Sequence, residues 1–197
     1  MPTKSSTKDR IIDATWKLFH EMSPKAPTLG DVAKAAGVSR QAVYLHFDNR
    51  AKLLSETIQQ QKEMLGAADR LKKARDVEPE MVFTSWLATM FDIYELILPV
   101  GRTLVEEAVV GKDEALAWDE VIASIRRSAG FVVDRFDELG MLQTKWSAER
   151  ATDWIYSRMN FTTWHLIVHE LGWTQAEAIT RTVESLEADL LVIPRAE

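Results

Sequence analysis

Apolar residues recur at helical spacing along almost the whole chain, and no segment alternates as a half-buried β-strand does. The prolines, at positions 2, 24, 27, 79, 99 and 194, fall between these apolar-periodic segments. We therefore predict an all-α protein of about nine helices. A three-helix N-terminal domain is expected over residues 1–52, and a larger helical domain over residues 53–197.

Helix starts near the N-terminus carry clear capping signals. Ser6 followed by Asp9, and Thr28 followed by Asp31, have the capping-box spacing, in which each side chain satisfies the backbone N–H of the other. Gly37 lies where a left-handed residue would end the second helix. The first two helices are therefore expected to begin after Ser6 and Thr28.

Two further helices complete the predicted N-terminal region. Ser39 can cap a third helix that runs through Phe47, and Asp48 or Asn49 can cap a fourth from Arg50 onward. The fourth helix turns polar between residues 69 and 80, as expected of a connection to the second domain.

The remaining chain predicts five helices. Pro99 and Gly101 are expected to separate the first of these from a short second one. Gly140 and Gly172 are expected to close the third and fourth, and the pair Thr174/Glu177 to open the last. The predicted spans are about 80–98, 102–110, 113–139, 147–171 and 175–193.

Residues 28–54 have the pattern of a helix-turn-helix motif: two short helices joined by a turn that contains glycine. On the third helix, Val43 and Phe47 point towards the core together, while Gln41 and Leu45 point the opposite way. In such motifs the second of the two helices, which is the third helix of this chain, enters the DNA major groove. Arginine can bond guanine there, and glutamine can bond adenine.

This stretch resembles the DNA-binding domain of the TetR family. The similarity covers about residues 8–56: a threonine at the start of the second helix, Gly37-Val38-Ser39, Val43-Tyr44-x-His46-Phe47, a basic residue, and Leu53-Leu54. Ala51 and Gly30 depart from the family pattern. The resemblance implies base contacts by Arg40 and Gln41, phosphate contacts by Thr28, Tyr44 and His46, and a backbone clamp by Arg50. The implied DNA-binding set is Thr28, Ser39, Arg40, Gln41, Tyr44, His46 and Arg50.

Charge is divided unevenly along the chain. The overall net charge is −6, yet residues 1–60 carry a net charge of +3 and the rest carry −9. A basic end beside an acidic remainder is compatible with a polyanion partner at the N-terminus, to which Lys4, Lys8 and Arg10 would add.

The last predicted helix carries a 3.5-residue apolar repeat, formed by Ile179, Val183, Leu186 and Leu190 and continued at Ile193. We call the first four the seam residues. Such a stripe suits either pairing with a second helix or packing on the protein's own core. We favour a homodimer through the last two helices, because two half-sites on DNA require two recognition helices.

The middle helices are rich in aromatic and methionine residues. Most of these residues are expected to form the core, but sites for small apolar molecules often lie between helices of a bundle. The resemblance implies a small-molecule effector there. The candidate residues are Trp86, Met90, Tyr94, Arg102, Trp118, Arg126, Trp154, Arg158 and His165.

The sequence offers little support for an enzyme. The chain has no cysteine, no glycine-rich phosphate loop and no nucleophile–base spacing. His165 and His169 have a spacing that can bind a metal, which leaves a metal-dependent helical enzyme as one alternative. We expect no catalytic residues, no metal and no cofactor.

No uncharged apolar run of membrane-spanning length and no secretory signal is evident, so we expect a cytoplasmic protein without a membrane partner. The favoured interpretation is a homodimeric transcriptional repressor that binds double-stranded operator DNA and leaves it when a small molecule binds. The alternative within the same fold is a DNA-binding dimer that acts without an inducer, as an architectural or partner-recruiting protein.

Overall fold

The computed structural model describes residues 6–22 and 25–192. Lys4, Ser23 and Ile193 therefore lie outside the described residues. Contacts divide the chain into two compact units. The first unit comprises residues 1–65 and 96–121, and the second unit comprises residues 66–95 and 122–197.

The described residues are almost entirely helical, and the all-α prediction is confirmed. A 3₁₀ turn, Pro79–Met81, precedes the sixth helix, and a π-helical turn, Leu166–Glu170, follows the ninth. The helices are α1 Thr7–Met22, α2 Leu29–Ala36, α3 Arg40–His46, α4 Arg50–Met64, α5 Ala67–Arg75, α6 Val82–Ala108, α7 Lys112–Glu138, α8 Ala148–Met159, α9 Phe161–His165 and α10 Gln175–Leu190. The domain boundary after residue 52 stays a prediction.

Helix starts follow the capping signals in the sequence. The backbone N–H of Asp9 donates to Ser6 Oγ at 3.1 Å, and the Ser6 N–H donates to the Asp9 carboxylate at 3.0 Å. Capping boxes also open α2 at Thr28 and α10 at Thr174. Local side-chain chemistry therefore sets these three starts, independently of what the helices pack against.

The predicted break at Pro99 is wrong, because α6 continues through it from Val82 to Ala108. A proline inside a helix removes one backbone hydrogen bond and costs about 3 kcal/mol. Around it, Ile97, Val100 and Leu104 are at most 1% exposed. Burial of three large apolar side chains, worth roughly 1.5–3 kcal/mol each, outweighs that cost.

The predicted helix over residues 147–171 is also wrong, because the structure breaks it at Asn160. Asn160 has extended backbone angles (φ −65°, ψ 164°), and its Oδ1 accepts the backbone N–H of Thr163 at 3.0 Å. The side chain thus caps α9 and ends α8 at the same residue. A similar break at Gly66, in a left-handed conformation (φ +66°), separates α4 from α5.

The core of the second unit joins α6 to α7, α8 and α9. Phe83 and Phe136 have ring centroids 4.8 Å apart, and the hydroxyl of Tyr94 donates to the backbone carbonyl of Met159 at 3.0 Å. The Trp164 ring lies 5.5 Å from the Tyr94 ring. Tyr94, one of the candidate effector residues, therefore lies at the centre of this core.

One helical stretch, Pro79–Ala108, is long and apolar enough to cross a membrane by length and composition alone. Its most apolar window is 56% buried inside the protein, as is usual for the core helix of a globular domain. The stretch is therefore weak evidence for a membrane span.

Candidate functional site

The N-terminal helices form a small apolar core that positions the helix-turn-helix. Ile11 from α1, Val32 from α2 and Val43 from α3 are each at most 1% exposed, and Phe47 and Leu53 close the cluster. Gly37, with φ +66°, makes the turn between α2 and α3 and donates its N–H to the carbonyls of Ala33 and Lys34. This core fixes which face of α3 is left outward.

The outward face of α3 presents a dense set of hydrogen-bonding side chains. Arg40, Gln41 and His46 are exposed, and Tyr44 is 46% exposed. Val43 between them is 1% exposed, so α3 is held by one buried face. The four predicted α3 side chains are therefore brought together on one accessible surface.

Arg40 and Tyr44 already interact with each other. The Arg40 Nη2 donates to the Tyr44 hydroxyl at 3.4 Å, and the guanidinium carbon lies 5.8 Å from the centre of the Tyr44 ring. This long hydrogen bond and loose cation–π contact are weak, so both side chains can turn towards another partner.

Thr28 and Ser39 both act as helix caps at the exposed surface. The Thr28 hydroxyl accepts the Asp31 backbone N–H at 3.2 Å and donates to the Asp31 carboxylate at 2.7 Å. These hydrogen bonds lower the pKa of Asp31 below its ordinary value. Ser39 Oγ accepts the Ala42 N–H at 3.1 Å. Both residues fix a helix N-terminus, where backbone N–H groups favour an anion such as phosphate.

Arg50 has hydrogen-bond partners within the protein. Its Nε donates to the Glu107 carboxylate at 3.2 Å, and its Nη1 donates to the Pro27 carbonyl at 2.7 Å. Only 20% of its side chain is exposed. These two acceptors use part of the guanidinium's N–H donors and tie the start of α4 within the first unit, and the phosphate clamp by Arg50 stays a prediction.

Leu45 is a surface residue that the predicted site left out. It is 80% exposed on α3, beside the polar set. The helical wheel already pointed it outward, and an exposed leucine on a recognition helix is suited to contact a thymine methyl group. Its outward position and its apolar side chain were the features of the sequence that could have identified Leu45 as a site residue.

The predicted effector residues separate into buried and surface groups. Trp86, Met90 and Tyr94 are at most 2% exposed in the second unit. Burial raises the pKa of the Tyr94 hydroxyl well above its ordinary value, so this group stays neutral. These three residues line the interior as expected.

The predicted arginines do not point inward. Arg126 is 43% exposed and pairs with Asp153 at 2.6 Å, and Arg158 is 45% exposed. Arg102 is 53% exposed and pairs with Glu106. A charged head stays in water unless it has a buried partner, and none of these has one. The exposed positions of these three arginines do not support a place for them inside the effector site.

Two other predicted tryptophans are not fully buried. Trp154 is partly exposed, and its Nε1 donates to the Asp189 carboxylate at 2.9 Å. Trp118 is partly exposed as well and belongs to the first unit.

His165 and His169 lie side by side, with ring centroids 5.4 Å apart. Each faces a glutamate: His165 lies 3.3 Å from Glu170 and His169 lies 3.1 Å from Glu95. Within the described ranges, no three metal-binding side chains are placed to hold an ion together. His169 thus has a hydrogen-bond partner in Glu95, and His165 lies within ion-pair distance of Glu170.

The seam on α10 needs correction at two positions. Leu186 and Leu190 are at most 1% exposed, so they have no accessible area to bury against a second copy. Ile179 and Val183 are partly exposed and remain available. Beside them an open groove of about 570 Å³ follows the start of α10, with Trp173, Ala176 and Thr180 in its lining.

Comparison with known proteins agrees with the helix-turn-helix geometry. Residues 11–57 match the family described as bacterial regulatory proteins, tetR family. The match covers α2 and α3, most of α1, and the first half of α4. The helix-turn-helix region of this chain belongs to the TetR family.

Curated relatives share mainly the N-terminal region of this chain. An uncharacterized HTH-type transcriptional regulator of Mycobacterium tuberculosis is 38% identical over 71 residues, which are 36% of this chain and 35% of that protein. The HTH-type transcriptional regulator TtgR of Pseudomonas putida is 30% identical over 109 residues, 55% of this chain and 51% of its own length. The matches thus span about a third to a half of the curated relatives.

Solved TetR-type structures match nearly the whole chain in fold. A putative TetR-family regulator from Mesorhizobium loti has a TM-score of 0.70 and 18% identity, covering 96% of this chain and 100% of its own. SmeT, the repressor of a Stenotrophomonas maltophilia multidrug efflux pump, has a TM-score of 0.64 and 16% identity, covering 97% and 95%. At such identities the likeness concerns the fold alone.

Proposed function

We propose that this protein is a sequence-specific transcriptional repressor that binds operator DNA as a homodimer and is released by a small apolar effector. The observation that carries the DNA-binding part is the outward face of α3. Arg40, Gln41 and Tyr44 are exposed there together, on a helix that Ser39 caps and Val43 anchors.

Direct base readout follows from the chemistry of this face. Arg40 would donate two hydrogen bonds to guanine O6 and N7, and Gln41 would bond adenine N6 and N7. Tyr44, His46, Thr28 and the capped N-termini of α2 and α3 would contact phosphates, which position the protein without reading sequence. The net charge of +3 on residues 1–60 favours the approach to DNA.

A homodimer gives this chemistry its specificity. One helix-turn-helix covers a single half-site, whereas two copies related by a two-fold axis read a palindrome with half-sites about one helical turn apart. The partly exposed Ile179 and Val183 on α10 supply an apolar strip for the second copy.

Release from the operator would be conformational. An effector that binds the interior of the second unit, near Trp86 and Tyr94, would favour a dimer whose recognition helices are wrongly spaced for adjacent grooves. The operator affinity then falls by the same factor by which the effector binds that state more tightly than it binds the DNA-bound state.

The test is selection of bound sequences from random duplex DNA with the full-length protein, repeated with Arg40→Ala and Gln41→Ala. We expect a palindromic motif in which each variant relaxes one base position per half-site. Each substitution removes roughly 1–3 kcal/mol of base discrimination, and so between about five- and 150-fold in affinity.

Lys17→Ala is the matched control. Lys17 lies on α1, and its side chain is 74% exposed and pairs with Glu21. Its loss removes one positive charge as Arg40→Ala does, so it should weaken binding slightly and leave the motif unchanged. Enrichment of no motif at low salt, or the same relaxation in Lys17→Ala, would contradict the proposal.

A further inference from the structure

Two tryptophans in the second unit bury their indole N–H groups without using them. Trp86 and Trp164 are each 1% exposed, and the Nε1 of each has no hydrogen-bond partner among the described residues. A buried donor without a partner has lost its hydration and gained nothing in return. Most buried polar groups in proteins are paired, so each exception calls for an explanation.

Other tryptophans of the same unit show the usual arrangement. The Nε1 of Trp146 donates to the Asp189 backbone carbonyl at 2.7 Å, and that of Trp154 donates to the Asp189 carboxylate at 2.9 Å. These two indoles lie towards the surface, yet both are paired. The lack of a partner is therefore a property of the two indoles in the aromatic interior.

The two free donors belong to one continuous cluster. Trp86, Met90 and Tyr94 follow one another at intervals of one turn along α6, which places Trp86 about 12 Å from Tyr94 along the helix axis. The Trp164 ring contacts Tyr94, with centroids 5.5 Å apart. Tyr94 thus links Trp164 to the helix that carries Trp86, within one buried aromatic cluster.

Met90 is the adaptable part of that cluster. Its thioether sulfur lies 3.6 Å from the Ser128 hydroxyl, which donates to the Ile125 carbonyl at 2.8 Å, so the contact with Met90 is weak. A methionine side chain has three rotatable bonds and repacks readily around a new neighbour. Movement of Met90 would open room between the two indoles without disturbing the backbone.

The aromatic surroundings of the two indoles favour a neutral ligand. In the second unit the fully buried polar side chains are the neutral Thr89 and Ser128, and Arg135 is partly exposed with a buried Nε. An ion placed beside the two indoles would lose its hydration. Neutral donors instead favour neutral acceptors.

We infer that the effector is an uncharged aromatic compound with a carbonyl or ether oxygen, which accepts a hydrogen bond from the indole N–H of Trp86 or Trp164. The inference rests on the proposed effector site and names the ligand class for it. Satisfying a donor that is already desolvated adds affinity at little desolvation cost to the protein. The same donors would discriminate against hydrocarbons of equal shape.

The test measures the affinities of three matched probes for the full-length protein by titration calorimetry. Benzophenone carries a neutral carbonyl, diphenylmethane has a similar shape without the acceptor, and 4-benzoylbenzoate adds a negative charge. We expect benzophenone to bind about fivefold or more tightly than diphenylmethane, the gain of one hydrogen bond, and 4-benzoylbenzoate to bind weakest.

Variants assign the preference to the indoles. Trp86→Phe or Trp164→Phe should bring the benzophenone-to-diphenylmethane affinity ratio close to one, because the carbonyl then meets no donor. Trp146→Phe, which removes an indole whose N–H is paired with the Asp189 carbonyl, is the matched control and should leave the ratio unchanged. The smaller ring of phenylalanine changes the packing around both probes, and this effect cancels in the ratio of their affinities.

The wild-type protein supplies a readout that does not depend on a variant folding. With ¹⁵N-labelled tryptophan, benzophenone should move the indole N–H resonance of Trp86 or Trp164 downfield, and diphenylmethane should not. Equal affinities of benzophenone and diphenylmethane, or an unchanged ratio in both core variants, would overturn the inference. Operator selection is measured without any probe, so failure here leaves the proposed DNA binding standing.

Discussion

The guanidinium of Arg50 has hydrogen-bond acceptors on two sides, the Glu107 carboxylate and the Pro27 carbonyl. Both ions of the pair are sheltered, with side-chain exposures of 20% and 32%. A charge-assisted hydrogen bond in such a setting contributes more than an exposed pair does, and removal of one partner leaves the other uncompensated. At this position the contacts favour a stabilising role over a DNA contact.

Arg50→Gln should therefore lower the free energy of unfolding by about 1–3 kcal/mol in chemical denaturation. The salt dependence of operator binding should stay the same, whereas loss of a phosphate contact would reduce its slope by about one. Arg102→Gln is the control: its pair with Glu106 is exposed, and its loss should cost under about 1 kcal/mol. An unchanged stability together with a reduced salt slope would support the phosphate-clamp role.

At the scale of the element, Asn160 decides where one long predicted helix becomes two. Its Oδ1 accepts the Thr163 N–H at 3.0 Å and its Nδ2 donates to the Ser157 carbonyl at 3.4 Å. The side chain thus serves the end of α8 and the start of α9 together. The apolar period of the sequence runs across this point and carries no sign of the break.

Asn160→Ala should destabilise the protein by roughly 1 kcal/mol, because the first turn of α9 loses its cap. Asn160→Asp retains an acceptor at the cap and should recover most of the loss. The free energies of unfolding of both variants would be measured by urea denaturation monitored by circular dichroism. If Asn160→Ala were as stable as the wild type, the cap would not be what sets this break.

At the scale of the whole molecule, the proposed dimer rests on residues at the edge of the buried face of α10. Leu186 and Leu190 belong to the interior of the chain, whereas Ile179 and Val183 keep accessible area. Half of the seam residues therefore pack in the core of their own chain, and only Ile179 and Val183 can contact a partner.

Val183→Arg should convert the dimer to a monomer in sedimentation velocity, since it places a charge in an apolar contact. Operator affinity should fall with it, because one half-site alone is bound weakly. Leu116→Arg changes a similarly apolar residue that is 56% exposed in the first unit, and should leave the mass unchanged. A Val183→Arg protein that sediments as a dimer would place the interface elsewhere.

Local signals in the sequence determined much of this protein. The capping boxes at Ser6, Thr28 and Thr174, the left-handed Gly37 and the outward face of α3 depend on residues within one or two turns of each other. Such short-range chemistry is present in the sequence itself, and so the helix starts and the helix-turn-helix pattern could be predicted.

Tertiary structure alone decided the rest. The pairing of Arg50 with Glu107, the pairing of Arg126 with Asp153 and the burial of Leu186 depend on residues far away in the chain. The passage of α6 through Pro99 depends on the burial of the side chains around it. The unpartnered indoles of Trp86 and Trp164 belong to the same class. Periodicity shows that a residue has an apolar neighbourhood, but the packing of distant segments sets which polar atoms in it find a partner.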